Sequence, residues 1–475
     1  MMKTLVMKFG GTSVGSAPAL MQAAGIVKEH RSNWDALVVV VSAMSGVTNA
    51  LVQCAQAAAR GDEATYTRLI SELRFKHLKI IDSLISDPQE VPDLIGMVEQ
   101  HINELSAICR SVNVLGEITP RGMDTISSLG ERMNARIFSA LLNQVEAPSQ
   151  AMDATHLIVT DSNFQNAHPL MDATRAKVQQ NLLPLLQQGL VVVVTGFIGA
   201  NPDGVITTLG RGGSDYTASI LGDALDAGEV WTWTDVDGVM SADPRIVSQA
   251  RVIPEISFSE VGELAYFGAK VLHPKTIRPI IERDIPLWVK NTFNPSHPGT
   301  RISKNPPSIP GKVTAVTSIR DLSMVTVAGR GMLGVPGIAA RTFSAVARQG
   351  ASVLMISQSS SEQSICFVIP TRNSAEVIRS LEEEMALELI RKDIDRIWSQ
   401  DNMVILTVIG AGMRDTPGVS ARIFGALGRS QINVIAIAQG SSEYSISLVV
   451  AAPDADRAVQ QIHSEIIENE KGNAS

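Results

Sequence analysis

Several familiar kinds of chemistry are excluded by what this sequence lacks. Its three cysteines, Cys54, Cys109 and Cys366, lie far apart with no CxxC pair. That argues against a disulfide framework or a thiolate metal site and for reduced, structural thiols. The eight histidines show no metal-ligand spacing, so no structural zinc is expected. No apolar run is long enough to span a bilayer; VVVV at Val38 and at Val191 are core strands in length. The first residues, MMKTLVMKFGG, carry too short an apolar run for a signal peptide, and the expected location is the cytoplasm. Basic excess is also missing. The net charge is −8 with 19% charged residues, which disfavours a nucleic-acid or anionic-membrane partner. Neither the GK[ST] of a Walker loop nor a complete dinucleotide fingerprint occurs.

What is present is organised around TTLGRGGSDYTA, Thr207 to Ala218. Glycines here let a backbone approach a charged ligand closely, and the free N–H groups of the following helix favour anions. A tight surface turn is the plain alternative. The run LVVVVTGFIGA (Leu190 to Ala200) before it reads as one strand buried on both faces. At the N-terminus, TLVMKFGG runs a strand into a Gly-Gly turn and sets Lys8 at the strand's end, either solvated or touching phosphate. ALVVVVSAMSGVTNAL repeats the strand, small-residue turn and helix. Such alternation predicts a mainly parallel sheet with helices on both faces. From Leu51 to about Leu115 the pattern is helical (Tyr66 to Leu84, Leu94 to Val114), broken by DPQEVPD and without chemistry. SSLGERMNARIFSALL, Ser127 to Leu142, reads as a helix with Glu131 in its opening turns, where an acid is ordinarily only dipole-favoured.

Around residues 290–308 the texture turns rich in Pro, Asn and Ser, marking a boundary. Beyond it the chain repeats itself at a constant offset of 81: from Gly329 and Gly410 onward 19 of 41 positions agree without a gap, which requires a duplication. Each copy reads βαββα, a small antiparallel sheet with an exposed edge backed by helices. GRGMLG (Gly329 to Gly334) matches GxGxxG, yet no acidic residue follows at the required distance, so a nucleotide site there is not expected. The expected division is a catalytic domain over 1–300, a linker with the first repeat over 301–400, and the second repeat over 401–475.

KFGGTSV, VVSAMSGVTN, GFIGA with TTLGRGGSDYTA, WTDVDGV with ADPR, and YFGAKVLHP form an ordered series that resembles aspartate kinase. The repeat resembles the paired ACT domains of that family, and ISQSSSE and IAQGSSE resemble the kinase portion of fused aspartate kinase–homoserine dehydrogenases. The sequence ends at HSEIIENEKGNAS, and the expectation is that no dehydrogenase follows. The resemblance implies an α/β amino-acid-kinase three-layer fold and transfer of the ATP γ-phosphoryl to the β-carboxylate of L-aspartate, with Mg²⁺ held mainly by the ATP phosphates. It places Lys8 and Lys270 on the transferring group, with Asp215 orienting the lysines. Arg211 pairs with the α-carboxylate of aspartate and Glu131 with its ammonium, while Ser42, Thr48, Phe197 and Ser214 line the pocket. Gly10, Gly11, Gly212 and Gly213 offer backbone N–H groups to ATP, which Thr234, Asp235, Met240 and Arg245 border; Met240 stands where the family usually has tyrosine. Gln358 and Gln439, each leading into Ser-Ser-Glu, either cap strand ends or take an amino-acid effector. The resemblance favours the effector, and threonine as its identity. A homodimer or larger homo-oligomer through the ACT repeats is expected. Another amino-acid kinase of this fold and a silent ACT-type sensor are the alternatives.

Overall fold

In the computed structural model the structure describes residues 2–268, 272–307, 312–332, 335–358, 363–413, 416–439 and 444–468. Lys270 and the Ser-Ser-Glu segments at Ser360–Glu362 and Ser441–Glu443 lie outside them. The chain forms two compact units. The first comprises Met1–Val239, Val252–Phe258 and Val271–Pro306; the second comprises Met240–Arg251, Ser259–Lys270 and Pro307–Ser475.

The first unit contains ten strands: β1 (Thr4–Phe9), β2 (Ala36–Val41), β3 (Ser149–Met152), β4 (Val191–Thr195), β5 (Ile198–Ala200), β6 (Ile206–Thr208), β7 (Glu229–Thr234), β8 (Glu255–Ser257), β9 (Leu287–Asn291) and β10 (Thr300–Ser303). All but β5 and β6 share one sheet, ordered β3-β4-β2-β1-β7-β9-β10-β8. From β3 to β9 every neighbour is parallel, and only β10 runs antiparallel to β9. The strands β1, β2 and β4 are buried along their whole length, as a parallel sheet covered on both faces requires. Alternate residues of β1 serve different faces. Leu5, Met7 and Phe9 join the core with Leu20, Leu51, Leu105 and Phe138 of the helical side. Lys8 faces the other way, towards the helix Gly213–Ala224.

Three local expectations change. The apolar run from Leu190 is not one strand: Phe197, with φ +71°, breaks it after β4, and β5 pairs antiparallel with β6 in a separate ribbon. The second amphipathic helix begins at Glu90 rather than Leu94, because Pro92 sits in its first turn, where no intrahelical N–H is needed. The helix carrying Glu131 begins at Pro120, capped by the Thr119 side chain on Gly122 N–H, and runs to Gln144. Glu131 is therefore mid-helix, and a helix-dipole role for it is ruled out.

The second unit contains β11 (Val313–Ala328), β12 (Met355–Gln358), β13 (Ser364–Pro370), β14 (Arg396–Gly410), β15 (Ala436–Ala438) and β16 (Ser445–Ala451). The two repeats do not keep separate sheets. Their long first strands β11 and β14 pair antiparallel, giving one six-stranded sheet, β12-β13-β11-β14-β16-β15, whose edges are β12 and β15. The helices Ile338–Arg348 and Ser374–Glu384 cover the first copy, and Val419–Arg429 and Ala455–Ile462 the second. The segment 240–251 belongs to this unit: Ala242 and Val247 enter the second copy's core, and Ser241 Oγ meets His463 Nε2 at 2.9 Å. Among the described residues no helix is long and apolar enough to cross a membrane.

The glycine of GRGMLG has a packing cause. A Cβ on Gly329 would overlap the Asp393 carbonyl oxygen, and one on the equivalent Gly410 would overlap that of Lys312 and lie 3.0 Å from Val313 Cα. Backbone cannot yield as a side-chain end can. Gly410→Ala is expected to destabilise the second unit by about 1–3 kcal/mol through overpacking. Gly428, in a helix with open space around it, is the control: Gly428→Ala should stabilise by roughly 0.5–1 kcal/mol. Opposite shifts of the urea midpoint check the pair.

Candidate active site

A cavity of about 650 Å³ opens where β1 and β2 end in small-residue turns. It is lined by Lys8 near the end of β1 and Gly11 in the turn after it, the Ser42–Gly46 loop with the helix Val47–Ala59 that follows, the helix Pro120–Gln144, Gln165, Phe197, and the stretch from Thr208 to Asp215. Lys8, Ser42, Thr48, Glu131, Phe197, Arg211, Ser214 and Asp215, far apart in sequence, all line it.

Lys8 is 7% exposed, and its Nζ lies 2.6 Å from Asp215 Oδ1 in the first turn of the helix Gly213–Ala224. That helix is started by Gly212 in the left-handed region, φ +72°. Close packing fixes the turn: a Cβ on Gly213 would come 2.5 Å from the Phe197 ring, and one on Gly196 would come 2.6 Å from Ser214 Oγ. Phe197 itself holds a left-handed backbone, unusual for an aromatic residue, tied by its N–H to Thr217 Oγ1 at 3.0 Å. Arg211 is exposed and makes none of the described ion pairs.

Two glycine assignments are corrected. Gly10 N–H donates to the Trp233 carbonyl at 3.1 Å, and Gly213 N–H to the Gly210 carbonyl at 3.0 Å. Both are committed to the fold, whereas the N–H groups of Gly11 and Gly212 make no backbone hydrogen bond among the described residues. Thr234 and Asp235 follow at the end of β7, their side chains bonded to each other at 3.1 Å. Met240 and Arg245 group with the second unit, where the Arg245 guanidinium is held on Asp243 of its own turn. Gln358 ends β12 and lines a cavity of about 360 Å³ with Met332, Pro336 and Ile338 in the second unit. Gln439 is exposed just past β15.

The helix Pro120–Gln144 brings to the cavity two further residues that no sequence motif marks. Asp124 and Ser127 line the cavity on the same helix face as Glu131, one and two turns apart. A buried polar stripe at helical spacing was the available signal. Glu131 is 3% exposed, and its Oε2 has no hydrogen-bond partner among the described residues. Burial pushes its carboxyl up from 4.5 to about 8, against hydrogen bonds from the backbone at Ala43 and at Glu131 itself.

The model of the amino acid kinase family matches residues 3–291, and that of the ACT domain matches 325–385 and 406–466. Over 473 residues the chain is 34% identical to Aspartokinase 3, chloroplastic, of Arabidopsis thaliana, covering 98% of this chain and 82% of that protein. The chain belongs to the aspartokinases of the amino acid kinase family. It is also 37% identical over 464 residues to a bifunctional aspartokinase/homoserine dehydrogenase of Zea mays, covering 97% of this chain and 50% of the relative, so this aspartokinase-family chain spans about half that protein's length. Crystal structures of E. coli aspartokinase III superpose on it along 98% of its length. The one with aspartate and ADP has a TM-score of 0.80 at 31% identity, covering 100% of the E. coli chain. The one with lysine and aspartate has a TM-score of 0.79 at 32% identity, covering 99% of it.

The raised Glu131 carboxyl has a testable linkage. The folded protein keeps this proton up to about pH 8, whereas the unfolded chain releases it near 4.5. Between those values the folded state binds more protons, so stability from this group is full below 4.5 and is lost as pH rises through 8. Glu131→Gln removes the dependence. Its melting temperature relative to wild type should climb steadily from pH 5 to pH 8; a gap independent of pH would contradict the assignment.

Proposed function

We propose that this chain is an aspartate kinase, moving the γ-phosphoryl of MgATP to the β-carboxylate of L-aspartate, and that it works in the cytoplasm. The observation that carries the reading is the shared cavity: a buried Lys8 paired with a half-buried Asp215 at the sheet end, with Glu131 and Arg211, which is in none of the described ion pairs, around the same space. Residues 1–300, apart from 240–251 and 259–270, which group with the second unit, are taken as the catalytic domain, 301–400 as linker and first repeat, and 401–475 as second repeat.

The nucleophile needs no base, because a β-carboxylate is already an anion at neutral pH. Its oxygen forms a bond to the γ-phosphorus as the bond to the β,γ-bridging oxygen breaks, and ADP leaves. The protein's task is positioning and positive charge. Lys8 supplies charge against the transferring group, and Asp215 fixes the ammonium. The resemblance gives Lys270 the same task, with Thr234, Asp235, Met240 and Arg245 bordering the nucleotide. Gly11 and Gly212 present N–H groups to the phosphates. The Arg211 fork receives the α-carboxylate. Glu131 meets the α-ammonium, whose charge favours the ionised carboxyl and offsets the cost of its burial.

Regulation is assigned to the repeats. The cavity beside Gln358 joins an amide to the N-terminus of the helix Ile338–Arg348, which suits the side-chain hydroxyl and the carboxylate of a small amino acid. Threonine is the proposed effector, bound better by a low-activity arrangement than by the active one. Tenfold inhibition needs about 1.4 kcal/mol of differential binding. The edge strands β12 and β15 expose Ile356 and Ile437 at equivalent positions, which supports pairing of copies through these repeats into a homodimer or larger assembly.

The deciding experiment is ATP turnover with aspartate. Lys8→Ala should lose about 10²- to 10³-fold in kcat. Arg211→Lys keeps the charge but loses the fork, and should raise KM for aspartate while KM for ATP stays put. A rise in the ATP constant alone would move Arg211 to the phosphate side.

For the effector, wild type, Gln358→Ala and Gln439→Ala are titrated with threonine and with lysine at fixed substrates. Threonine should inhibit wild type, and loss of either amide should weaken that inhibition. Inhibition by lysine alone would replace threonine as the effector without touching the kinase assignment.

A further inference from the structure

Asp124 is 1% exposed, yet it faces the active-site cavity and belongs to no ion pair among the described residues. Its carboxylate is turned back into the protein. Oδ1 accepts from Thr208 Oγ1 at 2.8 Å and from Gln165 N–H at 3.1 Å. Oδ2 accepts from Thr208 N–H at 2.9 Å and from Gln165 N–H at 3.0 Å. Burial raises its pKa, and these same hydrogen bonds oppose the rise. A buried carboxylate kept on three donors is a costly device unless the donors must be held in place.

What it holds is informative. Thr208 ends β6 three residues before Arg211, and its carbonyl accepts from Ala167 N–H at 2.9 Å. Gln165 carries a left-handed backbone, φ +66°, which a non-glycine residue adopts only when its surroundings enforce it. The Gln165 carbonyl in turn abuts Gly210, where a Cβ would come within 3.0 Å. Asp124 thus binds both segments that shape the Arg211 turn. Glu131 lies seven residues further along Asp124's own helix, about 10 Å up the same face at 1.5 Å per residue.

We propose that Asp124 is a positioning residue that sets the span between Glu131 and Arg211, and so the length of amino acid the cavity accepts. This rests on the aspartate-kinase reading. A grip on ammonium and α-carboxylate from two separate elements selects by length only if the elements cannot drift apart, and misplacement by about 1 Å can cost on the order of 10²-fold. Asp124 clamps them together. It touches neither group itself.

The test uses the full chain, with Asp124→Asn and Thr208→Val. The first keeps size but turns an NH₂ towards a backbone N–H; the second removes one hydroxyl donor and leaves the backbone bonds. For Asp124→Asn, KM for aspartate and the calorimetric Kd for aspartate should both rise about tenfold or more, with KM for MgATP within about twofold. The preference for aspartate over glutamate, one methylene longer, should fall. Thr208→Val should move the same way by a smaller factor, and it decides the matter if Asp124→Asn does not fold. Parallel rises in both KM values, or an unchanged aspartate KM in folded Asp124→Asn or Thr208→Val, would overturn the clamp. Failure of wild type to phosphorylate aspartate would instead overturn the underlying reading, and the clamp with it.

Discussion

An ammonium inside a parallel sheet must be paired or expelled. Lys8 interrupts a β1 strand whose other five residues are almost wholly buried, and it is kept there by Asp215 at 2.6 Å. That single pair dictates much else. The helix bearing Asp215 must begin beside the C-terminal end of β1, so the turn before it needs left-handed Gly212. The helix must then lie close on the strands, and Gly222, whose Cβ would come 2.7 Å from Val230, makes room for it. The strained Phe197 and the packing of Gly196 and Gly213 follow from the same closeness. Charge, glycine and strain at this site have one origin.

Those features were legible because they break a pattern. A lysine in an apolar strand and three glycines around an arginine stand out against buried strands, and the structure brings Lys8, Gly210, Arg211, Gly212 and Gly213 to one cavity. Glu131, named by resemblance, was misplaced by pattern: the Thr119-Pro120 pair, a cap followed by a proline at the first helical position, marks the true start. Asp124 and Ser127 give only an ambiguous signal. Polar residues at helical spacing look like a solvated face until the neighbours across the cavity are known. The commitment of Gly10 N–H to Trp233 likewise depends on β7, more than two hundred residues away.

The repeat taught the converse. Offset identity established the duplication and its βαββα order, since both are local. It could not reveal that β11 and β14 would join, because pairing between copies is a property of two long strands with complementary registers. The shared sheet converts what read as two small, edge-exposed modules into one body with half the edges.

The second unit also draws on the chain before residue 307, and this has a consequence for how the protein can be divided. Ala242 and Val247 are buried in its second-copy core, and Phe267 packs with Leu322, Met324 and Val449. Glu260 accepts from Thr314, and Glu263 from Ser445, each at 2.8 Å. The backbone passes between the units five times. A scissor cut at the proline-rich boundary would therefore strip Ala242, Val247 and Phe267 of their cover on one fragment and open holes in the other. The two units are interleaved in sequence, so the proline-rich stretch is no clean boundary between them.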